Sequence, residues 1–286
     1  MSEVFLDTSI AIARVVHSAE TKKRIEERIS KYESSVFSLV VRQEFKRRLL
    51  KEAQYLLRQL KEKKSYLRVL RHVSDVLGPW HARKRNICLE ALILVHEGEG
   101  GKPVDDSELT ERAKRTLRSL LRGGLKDLAS SNTYEVLASQ CACAQYPVVE
   151  KLKYERYEFG PEQCSKTGGR CGIADFLVDH KKSLNAILTH LKSITKKSSE
   201  LEQIQGFIEN VLANPGNADS YDPCLKVGDL IIALESSGIE AFYTLNRKES
   251  LHLSRLLSQD LIIRPKNPTN DDEIFLSKSS HHWPAS

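Results

Sequence analysis

Val4-Phe5-Leu6, stopped by Asp7-Thr8-Ser9, is the stretch that decides the fold class. Three consecutive apolar residues fit a short strand buried on both faces, and the polar trio ends it. Outward from it, residues 10–29 carry apolar residues at helical spacing, with Thr21 a candidate start for a second helix. Residues 35–41 (SVFSLVV) read as a second buried strand, and the chain turns helical again at Arg42. The same alternation returns near the far end. There, residues 228–235 read as a helix ended near Gly238, 241–245 as a strand, 247–257 as a helix and 261–263 as a strand closed by Pro265. Buried strands alternating with helices predict an α/β protein with a parallel sheet flanked by helices.

The middle of the chain has a different texture. Leucine recurs at helical intervals through residues 49–70, and amphipathic stretches follow at 80–97, 107–121, 173–196 and 198–213. Breakers at 98–103, Gly123-Gly124, 160–172 and Asn214-Pro215-Gly216 separate them, and no strand stands out. The expected organisation is a core of residues 1–50 plus 222–265, a mostly helical insertion over 51–221, and a flexible polar tail over 266–286.

Composition narrows the function classes. With 40% apolar and 29% charged residues among 286, the chain lacks the signature of disorder. No run approaches the ~18 uninterrupted apolar residues of a membrane span. The first residues hold no basic, then apolar, leader, so the expectation is a cytoplasmic protein with no membrane partner. The net charge of +6 is mild, but residues 42–72 hold eleven Lys or Arg against three Glu. Such a stripe, opening with Arg42, Lys46, Arg47 and Arg48, favours a polyanion; the alternative is an ordinary solvated helix face.

Three acids occupy telling positions: Asp7 ending strand one, Glu44 just beyond strand two, and Asp229 opening a helix. Open parallel sheets bind ligands outside the carboxyl ends of their strands. If the acids converge there, their oxygen-only chemistry suits Mg²⁺ or Mn²⁺. Taken singly, Asp7 and Asp229 also read as helix caps and Glu44 as a solvated charge.

Four segments in order, Phe5-Leu6-Asp7-Thr8-Ser9, Ser38-Leu39-Val40-Val41-Arg42-Gln43-Glu44-Phe45, Gly228-Asp229-Leu230-Ile231-Ile232-Ala233 and Tyr243-Thr244-Leu245-Asn246-Arg247-Lys248-Glu249, resemble the PIN-domain nucleases. The likeness is greatest to the toxins of prokaryotic toxin–antitoxin pairs. It covers residues 1–50 and 222–265. It departs at Ser250, where the family has an aromatic, and in the length of the stretch between the second and third segments. The resemblance implies a PIN-like sheet with a large helical insertion and metal-dependent hydrolysis of RNA phosphodiester bonds, DNA being the less favoured substrate. By it, Asp7, Glu44, Asp229 and Glu249 would hold Mg²⁺ or Mn²⁺, while Ser9, Thr244 and Asn246 would orient waters or the scissile phosphate. It also implies an antitoxin partner or a defence role, and leaves a homo-oligomer open. Asn246 in place of Asp, with Ser250, keeps a rival: a catalytically degenerate scaffold that binds RNA or protein.

The remaining chemistry is sparse. Cys141, Cys143, Cys164 and Cys171 could supply four thiolates to a structural Zn²⁺, but their spacings fall outside the usual pattern, so buried or free thiols stay open. Cys88 and Cys224 read as core residues. His72, His81, His96, His180 and His190 are scattered on helical stretches and read as structural or surface groups. A glycine-rich phosphate loop is absent from the sequence.

Overall fold

Apolar runs from the two ends of the chain meet in one sheet. The computed structural model describes residues 2–77, 82–96, 105–128, 133–136, 148–152, 155–159, 172–214, 227–254, 257, 259–264 and 274–277. In it β1 (Glu3–Leu6) pairs in parallel with β2 (Ser34–Ser38) on one side and with β6 (Ala241–Thr244) on the other. Strand β3 (Thr133–Val136) extends the sheet beyond β2, and β7 (Asp260–Ile263) extends it beyond β6, both in parallel. An antiparallel strand, β8 (Ile274–Leu276), closes the second edge, giving the order β3-β2-β1-β6-β7-β8.

Side chains alternate across this sheet with period two. Phe5 and Phe242 point to one face, where their rings stack at 5.7 Å between centroids. Val4, Leu6, Ala241, Tyr243 and Ile262 point to the other, a small core closed by α1 (Thr8–Val16) and α2 (Ala19–Ile29) through Ile10, Ala13, Ile25 and Ile29. On the Phe5 face lies the larger core, built with the helices of the middle of the chain. Truncating either stacked ring to alanine costs about 3–5 kcal/mol by the usual large-to-small scale.

Those helices are α3 (Leu39–Phe45), α4 (Lys51–Lys63), α5 (Tyr66–Val76), α6 (Ala82–Ile93), α7 (Asp106–Leu128), α8 (Ile173–Asp179), α9 (Lys181–Ser193) and α10 (Ser199–Ala213). A π-helical turn, Lys46–Leu50, joins α3 to α4, with the Lys51 N–H donating to the Lys46 carbonyl. Lys64, at φ 52°, ends α4 in the left-handed region and splits the long leucine-rich stretch into two helices. The last crossover consists of α11 (Gly228–Glu235), which leads into β6, and α12 (Arg247–Ser254), which leads into β7.

Four expectations are corrected. Leu39-Val40-Val41 belongs to α3 and not to the second strand. The Ser38 hydroxyl accepts from the Val41 N–H at 3.2 Å and starts the helix there. Gly123-Gly124 does not break α7; a Cβ on Gly124 would lie 3.3 Å from Leu50 Cδ2, so glycine there serves close helix packing. The mostly helical 51–221 stretch does hold strands where none stood out in the sequence, supplying β3 to the main sheet and an antiparallel pair, β4 (Val148–Leu152) with β5 (Glu155–Phe159). The stretch from 266 is not wholly a loose tail, because β8 pairs with β7. Among the described residues, no helix is long and apolar enough to cross a membrane.

Candidate functional site

Asp7 stands one residue beyond β1, and its N–H still donates to the Tyr243 carbonyl at 3.0 Å. It caps α1, with Oδ1 accepting from the Thr8 N–H at 2.7 Å. Oδ2 accepts from two hydroxyls, Ser9 Oγ at 2.6 Å and Thr244 Oγ1 at 2.7 Å. Each hydroxyl in turn accepts a backbone N–H, Ser9 from Leu245 at 2.9 Å and Thr244 from Asn246 at 2.8 Å. An oxygen that accepts from an N–H is free to send its own proton to the carboxylate, so both arms polarise in one direction. Asp7 is only 5% exposed, yet all of these donors are neutral. Among the described residues, dipoles and not a countercharge hold its carboxylate.

Glu44 lies one element away, on the helix that leaves the carboxyl end of β2. It is 3% exposed. Oε1 accepts from Arg48 Nη2 at 3.0 Å, one helical turn along. Oε2 is buried and has no hydrogen-bond partner among the described residues. The carboxylate rests against Gly228, where an added Cβ would collide with Oε1. Gly228 opens α11, whose N-cap, Val227, offers no side-chain cap. A carboxylate there meets the positive end of the helix. Asp229 follows in the first turn, half-buried; it is not the cap. Since α11 runs back to the amino end of β6, its start falls at the carboxyl edge of the sheet, beside the edge that carries Asp7 and Thr244.

The expected residues therefore divide. Asp7, Ser9 and Thr244 share one hydrogen-bond cluster, with Asn246 joined to it through its backbone, and Glu44 packs on the helix start that carries Asp229. Among the described residues, no three His, Cys, Asp or Glu side chains gather closely enough to hold a metal ion. Glu249 falls in α12, but its side chain lies outside the described residues, as do Cys141, Cys143, Cys164, Cys171 and Cys224. Cys88 is buried, and burial pushes its thiol up to about 12, which fits a core residue. Gly228 stood in the sequence motif without a role; its contact with Glu44 supplies one.

The basic stripe fares differently. Lys46 is 1% exposed and presents no charge to a surface ligand, which corrects its expected role. Arg42 pairs with Glu135 of β3 at 3.3 Å, and Arg48 is committed to Glu44. Arg47 is half-buried. Three of the four cations singled out thus sit inside the fold or on its own acids.

No family model, curated protein or solved structure matches this chain. Its function is read from its own geometry.

Proposed function

We propose that this protein is a PIN-like, Mg²⁺- or Mn²⁺-dependent endoribonuclease whose site is the carboxyl edge of the sheet around Asp7, Glu44 and Asp229. The observation that carries the reading is Glu44 Oε2, a buried acceptor with no partner among the described residues, on the helix that leaves the strand next to the one Asp7 ends. Leaving such an oxygen unfilled costs about 1–3 kcal/mol or more, and a cation is the natural occupant for hard oxygen donors. Mg²⁺ keeps several waters and takes only one or two direct carboxylates, so Asp7, Glu44 and Asp229, which do not gather around one point, would hold it partly through water, with Glu249 the fourth candidate. A divalent ion there supplies Lewis acidity to a phosphate oxygen and to the attacking water. The chain's own groups do the positioning. Ser9 and Thr244 lock Asp7 in one orientation, and the start of α11 favours negative charge at the same edge. A toxin–antitoxin or defence role, with an antitoxin as partner, follows from the resemblance alone.

One observation favours the rival, a non-catalytic scaffold. Arg48 already fills one Glu44 oxygen, and Asp7 already accepts three hydrogen bonds. Incubating the protein with labelled single-stranded RNA, in Mn²⁺ or in EDTA, separates the two. Metal-dependent cleavage supports the nuclease; binding without cleavage supports the scaffold. Melting of wild type and Asp229→Asn, with and without Mn²⁺, then asks whether Asp229 is a ligand. At a hundred times the dissociation constant, a ligand-linked gain is about 2.7 kcal/mol. An equal gain in both proteins removes Asp229 from the site.

A further inference from the structure

On the outer side of α7 lies an open cavity of about 350 Å³ lined by Arg115, Arg118, Ser119, Arg122 and Gly123. The three arginines stand at positions i, i+3 and i+7, so they share one face of the helix. The opposite face, Ala113, Leu117, Leu120 and Leu121, is in the core. Arg115 and Arg122 are exposed and Arg118 is half-buried. Residues 112–126 hold six Lys or Arg and no acid. The acids of the first turns pair with nearby cations, Glu108 with Arg112 and Glu111 with Lys114. The Lys114 hydrogen bond, with the charges of Arg118 and Arg115 behind it, holds the Glu111 carboxyl below its ordinary range, so the local field is positive.

We propose that the Arg115–Arg118–Arg122 face binds the sugar-phosphate backbone of single-stranded RNA, separately from the acidic edge. Guanidinium groups pair with phosphate in two-pronged fashion, and a row of them suits a chain of phosphates better than one isolated anion. From Arg115 to Arg122 the helix rises about 10.5 Å. Three guanidiniums spread over that length suit a short run of successive phosphates on one strand. The position of the row suits backbone binding too. Gly124, two residues past Arg122, packs on Leu50 and Phe45, the neighbour of Glu44. The row therefore ends beside the helical run that carries a site acid. The choice of RNA among polyanions rests on the nuclease reading; the binding face itself does not.

The test is RNA affinity of the full chain in EDTA, followed against KCl concentration, for wild type and Arg115→Gln/Arg118→Gln/Arg122→Gln. Losing three contacts lowers the slope of log affinity against log salt by about 2 for single strands. Should the triple variant unfold, Arg115→Gln and Arg122→Gln singly, both at exposed positions, each lower it by about 0.7. An unchanged slope overturns the proposal, as does inorganic tripolyphosphate displacing RNA at equal phosphate concentration. The outcome is independent of catalysis. A slope that falls in a protein that never cleaves with Mn²⁺ sinks the nuclease and leaves the face standing. Cleavage by a variant of unchanged slope does the reverse.

Discussion

Two carboxylates, Asp7 buried at the edge of the sheet and Glu52 half-buried in the helical layer, are held in opposite ways. Glu52, on α4, pairs with Lys84 of α6 at 3.2 Å and lies 4.0 Å from the Cys88 thiol. Lys84 Nζ also sits 4.1 Å from the Tyr55 ring centroid, and the Tyr55 hydroxyl meets His72 Nε2 at 3.1 Å. Here Glu52 finds a countercharge and Lys84 both a carboxylate and a ring, and the group is a packing device between three helices. Burial still raises the Glu52 carboxyl, against the pull of Lys84. Asp7 meets hydroxyls and an N–H among the described residues. Dipoles can hold a carboxylate in place without consuming its charge, whereas the Lys84 ammonium pairs directly with that of Glu52.

Disabling the edge is the strongest way to break this contrast. Asp7→Asn should lower metal-dependent RNA cleavage by on the order of 10³-fold, the scale for losing a group aimed at developing charge. It should also cost about 1–3 kcal/mol of stability, because the two hydroxyl protons lose their shared acceptor. Urea unfolding and a cleavage time course measure the two effects. Full activity in this variant would return Asp7 to the role of a helix cap.

Arg48→Ala tests the intermediate case, where a site acid has one counterion. Removing the guanidinium leaves Glu44 buried and alone, a loss of about 3 kcal/mol by the behaviour of broken buried pairs. Saturating Mn²⁺ should restore part of it, since a cation can replace the missing charge. A melting difference from wild type that Mn²⁺ does not change would place Glu44 outside any metal site.

The smallest effect lies in the helical layer and appears as pH dependence. The Glu52 carboxyl titrates above 4.5 in the folded protein, so the unfolded chain releases its proton first as pH rises. Stability from this group is complete below 4.5 and is lost as pH climbs through the folded value, at no more than about 1.4 kcal/mol per pH unit. Glu52→Gln should flatten that fall in urea midpoints taken over about pH 4 to 7. Identical pH profiles would mean that Lys84 offsets the burial completely.

The central strands were legible because residues 4–6, 241–244 and 261–263 are apolar runs too short for helices, with Gly, Asp or Pro near their ends. Leu39-Val40-Val41 misled because a helix buried on all sides shows the same run as a buried strand. Only the Ser38 cap tells them apart. Thr133-Tyr134-Glu135-Val136 alternates in polarity over only four residues, too short a run to declare a strand, and what places it is tertiary: Ser35 Oγ meets Thr133 Oγ1 at 2.6 Å, and Arg42 meets Glu135. For the site, Asp7, Ser9 and Thr244 could be named as a group through the resemblance. The burial of Lys46 could not, since a basic run gives no sign of which cation a π-helical turn directs inward. The row on α7 did not stand out in the sequence, because only the fold shows which side of that helix faces out.

The hydrogen bond from Thr244 to Asp7 joins residues 237 apart in the chain. At about 5–20 residues per second of synthesis, roughly ten to fifty seconds separate the emergence of the two. Through that interval β1 lacks one neighbour and Asp7 lacks one of its two hydroxyls. A fragment released early from the ribosome would carry the arginine row of α7 but no assembled acidic edge. On the proposed roles of the row and the edge, such a product would hold a strand of nucleic acid without the means to cut it.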